Sequence, residues 1–144
     1  MHFNILTIFP EMFPGTLGGG VVGRALEHGA WSYKVVNIRD FAINNYGSVD
    51  DEQFGGGAGM VMRPEPLADA IDSLENPGKI IYFSPRGPTL NQKMVREFSA
   101  DADATYIVAA TAGASKASAI CIKAPSFITV TEIIRSIFLA HKPP

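Results

Sequence analysis

Hydrophobic and polar positions along this chain switch between the two-residue period of strands and the 3.6-residue period of helices, and the switches outline a succession of elements. Residues 2–9 (HFNILTIF) form a β-branched and aromatic run that reads as a buried first strand, ended by Pro10. Residues 20–28 (GVVGRALEH) predict a short helix stopped by Gly29, and residues 32–37 (SYKVVN) a second strand. Residues 39–62 carry no clear period and read as a loop region. Pro64 stands where proline starts a helix, and Leu67, Ala70, Ile71 and Leu74 then recur at helical spacing. Asn76-Pro77-Gly78 is a turn signal. Residues 79–83 (KIIYF) predict a third strand, apolar on both faces as a parallel sheet requires. Residues 91–98 (NQKMVREF) predict a helix, and residues 105–110 (TYIVAA) a fourth strand. Strands alternating with helices give an α/β domain built on a parallel sheet.

The character changes after Ala110. Ten of the 25 residues in 100–124 are alanine, Glu132 is the only acid from residue 104 onward, and no glycine follows Gly113. Loops that bind ligands at the ends of strands draw on glycines and polar side chains, and this tail offers few. Residues 133–140 (IIRSIFLA) fit a helix and a strand equally well.

Length and composition narrow the class. A chain of 144 residues with 47% apolar and 18% charged residues is one ordinary globular domain, far from the disordered class. A net charge of −2 provides no global field for nucleic acid, so any RNA contact must be local. The single cysteine, Cys121, excludes a disulfide framework and a multi-cysteine metal site, and it fits a reducing compartment. No apolar run reaches membrane length, and the N-terminus lacks the basic start of a signal peptide. A cytoplasmic location is the expectation.

Candidate chemistry concentrates between Ser48 and Met60 (SVDDEQFGGGAGM). Asp50 and Asp51 are paired carboxylates that could act as bases or orienting groups. Gly55, Gly56, Gly57 and Gly59 allow backbone conformations and close approaches that a Cβ would block, and their bare N–H groups suit an anion or a nucleobase. Phe54 and Met60 are expected to anchor the loop at both ends. Gly18-Gly19-Gly20-Val21-Val22-Gly23 satisfies GxGxxG, with Asp40 near the place of a ribose-binding acid. Residues 10–17 separate it from its strand, so a turn leading into a helix explains it better than a dinucleotide site. Ser84-Pro85-Arg86-Gly87 follows a buried strand, where ligands bind in parallel sheets. His2, His28 and His141 show no ligand spacing. Residues 123–142 hold few basic side chains and no interleaved aromatics for stacking RNA.

Taken together, these residues resemble the bacterial tRNA (guanine-N1)-methyltransferase family, which methylates the guanosine just 3′ of the anticodon. The resemblance is carried by Phe9-Pro10-Glu11-Met12-Phe13, by Gly20-Val21-Val22-Gly23-Arg24-Ala25 and by Arg39-Asp40-Phe41. It continues through Val49-Asp50-Asp51, the glycine run ending at Met60, and Tyr82-Phe83-Ser84-Pro85-Arg86-Gly87. It covers residues 1–108, with Ala58 standing where the family usually has proline. It implies a SPOUT-type α/β domain with a trefoil knot, S-adenosylmethionine held in the knot, and a homodimer whose active sites lie between subunits. Tyr82, Phe83, Ser84, Pro85 and Gly87 match the first cofactor-contacting loop. Arg24, Asp50, Gly55, Gly56, Gly57, Gly59 and Met60 match the guanosine and tRNA side.

Beyond Val108 the family's two further cofactor loops have no counterpart. Residues 109–144 are expected to be a divergent tail, from a frameshifted or truncated member, whose different side chains put the threading of the knot at issue. No residue here matches the family's catalytic aspartate or its arginine partner, which belong to a linker and a C-terminal tRNA-binding domain beyond residue 144. Weak or no cofactor binding and no methyl transfer are the expectation. Two other functions compete: a non-catalytic, self-associating remnant, and a dinucleotide-dependent oxidoreductase built on residues 18–23.

Overall fold

The computed structural model describes residues 1–52, 55–56, 59–84, 87–100, 103–108, 120–123 and 139–140. Five parallel strands make one sheet: β1 (His2–Thr7), β2 (Ser32–Asn37), β5 (Lys79–Ser84), β6 (Asp103–Val108) and β7 (Ile120–Lys123), in the order β2-β1-β6-β5-β7. A separate antiparallel hairpin pairs β3 (Asp50–Glu52) with β4 (Met60–Met62). The helices are α1 (Gly20–Glu27), α2 (Pro64–Asp72) and α3 (Gln92–Ser99).

The sheet divides the core into two layers, because successive side chains of a strand face opposite ways. On one face, Phe3 and Ile5 of β1 and Ile81 and Phe83 of β5 pack with Val22 of α1 and with Val95 and Phe98 of α3. Trp31 completes this layer, edge-on to Phe3 and donating its indole N–H to the Val22 carbonyl at 2.9 Å. On the other face, Leu6, Val36 and Tyr82 meet Leu67, Ala70 and Ile71 of α2, together with Val49 and Met62 at the base of the hairpin. Burying each of these larger side chains contributes about 1.5–3 kcal/mol. α1 and α3 therefore cover one face, and α2 with the hairpin covers the other.

Two of the three helix starts have local causes. Pro64 opens α2, where its missing N–H costs nothing. Asn91 caps α3, its side-chain oxygen accepting the Met94 N–H at 3.0 Å. Gly29, with φ of 71°, follows the His28 cap of α1.

Four expectations change. The first strand ends at Thr7 rather than Phe9, because the Thr7 hydroxyl takes the Phe9 N–H at 3.1 Å and bends the chain into a 3₁₀ turn at Pro10–Met12. The region read as loop holds a 3₁₀ turn at Ile38–Phe41 and the β3–β4 hairpin. The fourth strand of the sequence reading lies two residues earlier, since the ladder with β1 pairs His2 with Asp103 and Thr7 with Val108. The tail supplies β7, whose residues pair with Ile81 to Ser84. Of residues 133–140, only Leu139 and Ala140 are described, and they are helical. Residues 109–119 and 124–138, on which the knot depends, lie outside the described residues. Among the described residues no helix is long and apolar enough to cross a membrane.

Candidate active site

Parallel strands all present their carboxyl ends at one edge, and here the registers bring those ends level. Thr7 pairs with Asn37 on one side and Val108 on the other. Tyr82 pairs with Ile107, which sets Phe83 beside Val108, and Ser84 pairs with Lys123. The connection leaving β1 leads through α1 to β2, while β6 is followed in the chain by β7, which lies beyond β5 in the opposite direction. Adjacent strands β1 and β6 thus have connections that diverge, which is the topological switch point where α/β sheets open a crevice for ligands. The end of β5 at Ser84 lies beside it, on the next strand to β6.

The second feature is the hairpin. Arg63 N–H donates to the Val49 carbonyl at 2.7 Å, and Val49 and Met62 are buried, so its base is fastened to the core. Its residues 53–59 connect the two strands, and Gly55, Gly56 and Gly59 there have φ of 94°, 77° and 103°, conformations that L side chains rarely adopt. Asp50 and Asp51 stand exposed on β3. Asp50 accepts from the Ser48 hydroxyl at its carbonyl (3.3 Å) and its side chain (3.4 Å). Asp51 accepts the Glu52 N–H at 2.9 Å and pairs with the Arg63 guanidinium at 3.5 Å. A cavity of about 590 Å³ runs along this hairpin, lined by Asp51, Glu52, Val61, Met62, Arg63, Pro64 and Glu65.

The residues singled out from sequence fall into three places. Tyr82 and Phe83 are buried, Tyr82 in the α2 layer and Phe83 in the α1–α3 layer, so their side chains brace β5 and only their backbone reaches toward the rim. Ser84 ends β5 and Gly87 is half-buried just past it, whereas Pro85 lies outside the described residues. Asp50, Gly55, Gly56, Gly59 and Met60 belong to the hairpin, and Gly57 lies outside the described residues. Met60 is not the anchor expected of it: it is 46% exposed, and the β ladder, Val49 and Met62 tie the loop down instead. Phe54 lies outside the described residues. Arg24 sits on α1, across the sheet from the hairpin.

Arg63 and Glu65 were not anticipated. Arg63 reaches Asp51 only because the hairpin sets Asp51 opposite Val61, and nothing in a three-residue strand advertises that pairing. The GxGxxG glycines have a packing role. Gly18 ends a 3₁₀ turn, Gly20 opens α1, and Gly23 rests against the Gly18 carbonyl, where no Cβ fits.

A family model described as tRNA (Guanine-1)-methyltransferase TrmD matches residues 1–119. The chain belongs to this family. A tRNA (guanine-N(1)-)-methyltransferase from Rickettsia bellii is 51% identical over 104 residues, covering 70% of this chain and 37% of that protein. The enzyme of the same name from Rhodospirillum rubrum is 53% identical over 96 residues, covering 66% and 40%. The crystal structure of tRNA (m1G37) methyltransferase from Aquifex aeolicus superposes with a TM-score of 0.81 at 28% identity, over 96% of this chain and 69% of that one. The chain spans less than half the length of the curated relatives it matches. The family match runs eleven residues past Val108, where the resemblance read from motifs stops. The fold is thus that of the family: a parallel SPOUT-type sheet with helices on both faces.

Proposed function

We propose that this chain carries two walls of a tRNA (guanine-N1)-methyltransferase that acts, in the cytoplasm and as a homodimer, on the guanosine 3′ of the anticodon. The observation that carries the proposal is the level rim at the β1–β6 switch point with the end of β5 at Ser84 beside it, in a chain of this family. Tyr82 and Phe83 turn into the two cores, which leaves backbone groups at Ser84 and Gly87 to hold S-adenosylmethionine. That arrangement suits an adenosine-type cofactor gripped by main-chain donors and acceptors. When bound, the cofactor supplies an electrophilic methyl group.

The rest of the chemistry falls to side chains. Guanine N1 must be held in line with the methyl group, its proton must leave to a base, and charge developing on O6 needs a donor. The hairpin fits the guanine side, with backbone N–H groups in its glycine run and Asp50 and Asp51 at its foot. Both carboxylates already serve local partners, Asp50 the Ser48 hydroxyl and Asp51 the Glu52 N–H and Arg63. This suits them to orienting a base rather than taking its proton. Arg24 and the hairpin lie on opposite faces of one sheet, so a site using both draws them from two copies of the chain. Phe9, Met12 and Val21, exposed on and before α1, provide apolar surface for such an association.

The domain reading follows: residues 1–108 form the cofactor-side and guanine-side core, and residues 109–144 do not reproduce the family's remaining cofactor loops. The 144-residue chain is therefore expected to bind S-adenosylmethionine more weakly than about 0.1 mM, a free energy near −5.5 kcal/mol, and to transfer no methyl group. Calorimetry and a tRNA methylation assay check this, and micromolar binding or methylated tRNA refutes it. A chimera separates core from tail. Residues 1–108 grafted into the Rickettsia bellii enzyme should restore N1 methylation of guanosine; a folded, dimeric but inactive chimera sinks the proposed role of the core.

A further inference from the structure

Tyr46 is the most exposed large apolar residue of the described chain, at 95%, and Ile43 beside it is 62% exposed. The backbone beneath Tyr46 is held closely. The Asn44 side-chain oxygen accepts both the Tyr46 N–H (3.2 Å) and the Ser48 N–H (3.0 Å), and the Asn44 carbonyl accepts the Gly47 N–H at 3.2 Å. The Arg39 guanidinium donates to the Gly47 carbonyl at 3.1 Å. The Ser48 hydroxyl then ties the loop to Asp50 at the foot of the hairpin. A ring held out in water on a pinned loop is presented at little ordering cost to whatever meets it.

We propose that Tyr46 is a stacking platform for an unpaired nucleobase of the tRNA, flanking the base taken by the hairpin. The inference rests on the proposed guanine-side role of the hairpin. Three observations favour RNA over a protein partner. The loop is continuous with the hairpin through Ser48 and Asp50. Two apolar side chains offer far less area than the roughly 1,000 Å² a stable protein interface needs, but they match one base. Asp40, Asp50, Asp51 and Glu52 outnumber Arg39 and Arg63 along this surface, so phosphates are not drawn to it, whereas the face of a base stacks on an aromatic ring and base N–H groups suit carboxylates.

The test uses the full 144-residue chain and a tRNA anticodon stem-loop carrying 5-iodouridine at unpaired positions. Ultraviolet cross-linking followed by peptide mapping should mark Tyr46. Tyr46→Ala should weaken stem-loop binding by about tenfold, the order expected for one stacked base, and Tyr46→Trp should retain it. The slope of affinity against salt should stay that of the parent chain, because no phosphate contact is lost. Stem-loop binding that Tyr46→Ala leaves unchanged overturns the platform alone. A Tyr46→Ala protein that loses self-association in sedimentation but keeps its RNA affinity assigns the residue to a subunit contact and also overturns it. A parent chain that binds no stem-loop at all overturns the platform and the guanine-side role together.

Discussion

Replacing Gly23 with alanine tests whether the early glycines serve packing or a ligand. A Cβ at Gly23 would fall on the Gly18 peptide, 2.5 Å from its carbonyl carbon and closer still to its oxygen. Both obstacles are backbone, and the Gly18 segment is fixed in turn: it ends a 3₁₀ turn whose Leu17 is buried in the core. No rotamer change relieves the clash, so α1 must shift away from the turn and disturb Val22 and its bond from Trp31. Overpacking of this kind costs about 1–3 kcal/mol, and a contact this short against backbone belongs at the upper end. Alanine in a helix interior returns up to about 1 kcal/mol over glycine. The net loss is about 2 kcal/mol, a fall in melting temperature of roughly 6 °C for a domain of this size. The control is Gly19→Ser. Gly19 sits at the helix N-cap in extended backbone, its Cβ would make an ordinary 3.7 Å contact, and serine caps better than glycine. Thermal melts followed by circular dichroism should show a clear loss for Gly23→Ala and none for Gly19→Ser. Equal stability of Gly23→Ala and the parent chain refutes the packing account, and nicotinamide nucleotide binding lost on either change would restore the dinucleotide reading.

Other outcomes follow from single contacts. Asn91→Ala removes the side-chain cap of α3 and should cost about 1 kcal/mol in a urea titration. Trp31→Phe keeps an aromatic ring in the core but deletes the indole bond to Val22, and about 1–2 kcal/mol should be lost by the same measure. Asp51→Asn breaks an exposed ion pair with Arg63, so stability should change by less than about 0.5 kcal/mol, while guanine-side binding in the active chimera should weaken. A larger stability loss for Asp51→Asn would give that carboxylate a structural role instead.

Most of the large sheet could be read from the sequence because its signals are local. The apolar runs at residues 2–7 and 79–83 are buried on both faces, so they read as parallel strands without knowledge of their neighbours. Pro64 and Asn91 mark helix starts by chemistry intrinsic to those residues. The hairpin is not legible in the sequence, for the opposite reason. Asp-Asp-Glu is a poor strand by propensity, three residues are too few to show a period, and the buried residues at its base, Val49 before β3 and Met62 opposite Asp50, come from separate parts of the sequence. The site was half legible. Motifs located both walls, but the burial of Tyr82 and Phe83, the exposure of Met60 and the separation of Arg24 from the hairpin depend on which face of the sheet each element covers.

That separation bears on how the fold divides its labour. β5 is flanked by β6 and by β7, although β7 comes from the stretch that departs most from the motif pattern. Its residues, Ile-Cys-Ile-Lys, provide apolar and β-branched positions for a parallel edge and a charged end, and an edge strand asks little more than backbone pairing. Sheet completion is thus tolerant of sequence in a way that ligand loops are not: main-chain hydrogen bonds need only the right register, whereas a cofactor loop needs particular glycines and polar groups at particular places. A strand such as β7 can therefore pair into the sheet although the curated relatives match only about 70–74% of this chain. The chimera built on residues 1–108 exploits that difference, because it retains the part that carries the family's motifs and replaces the part whose ligand loops do not match them.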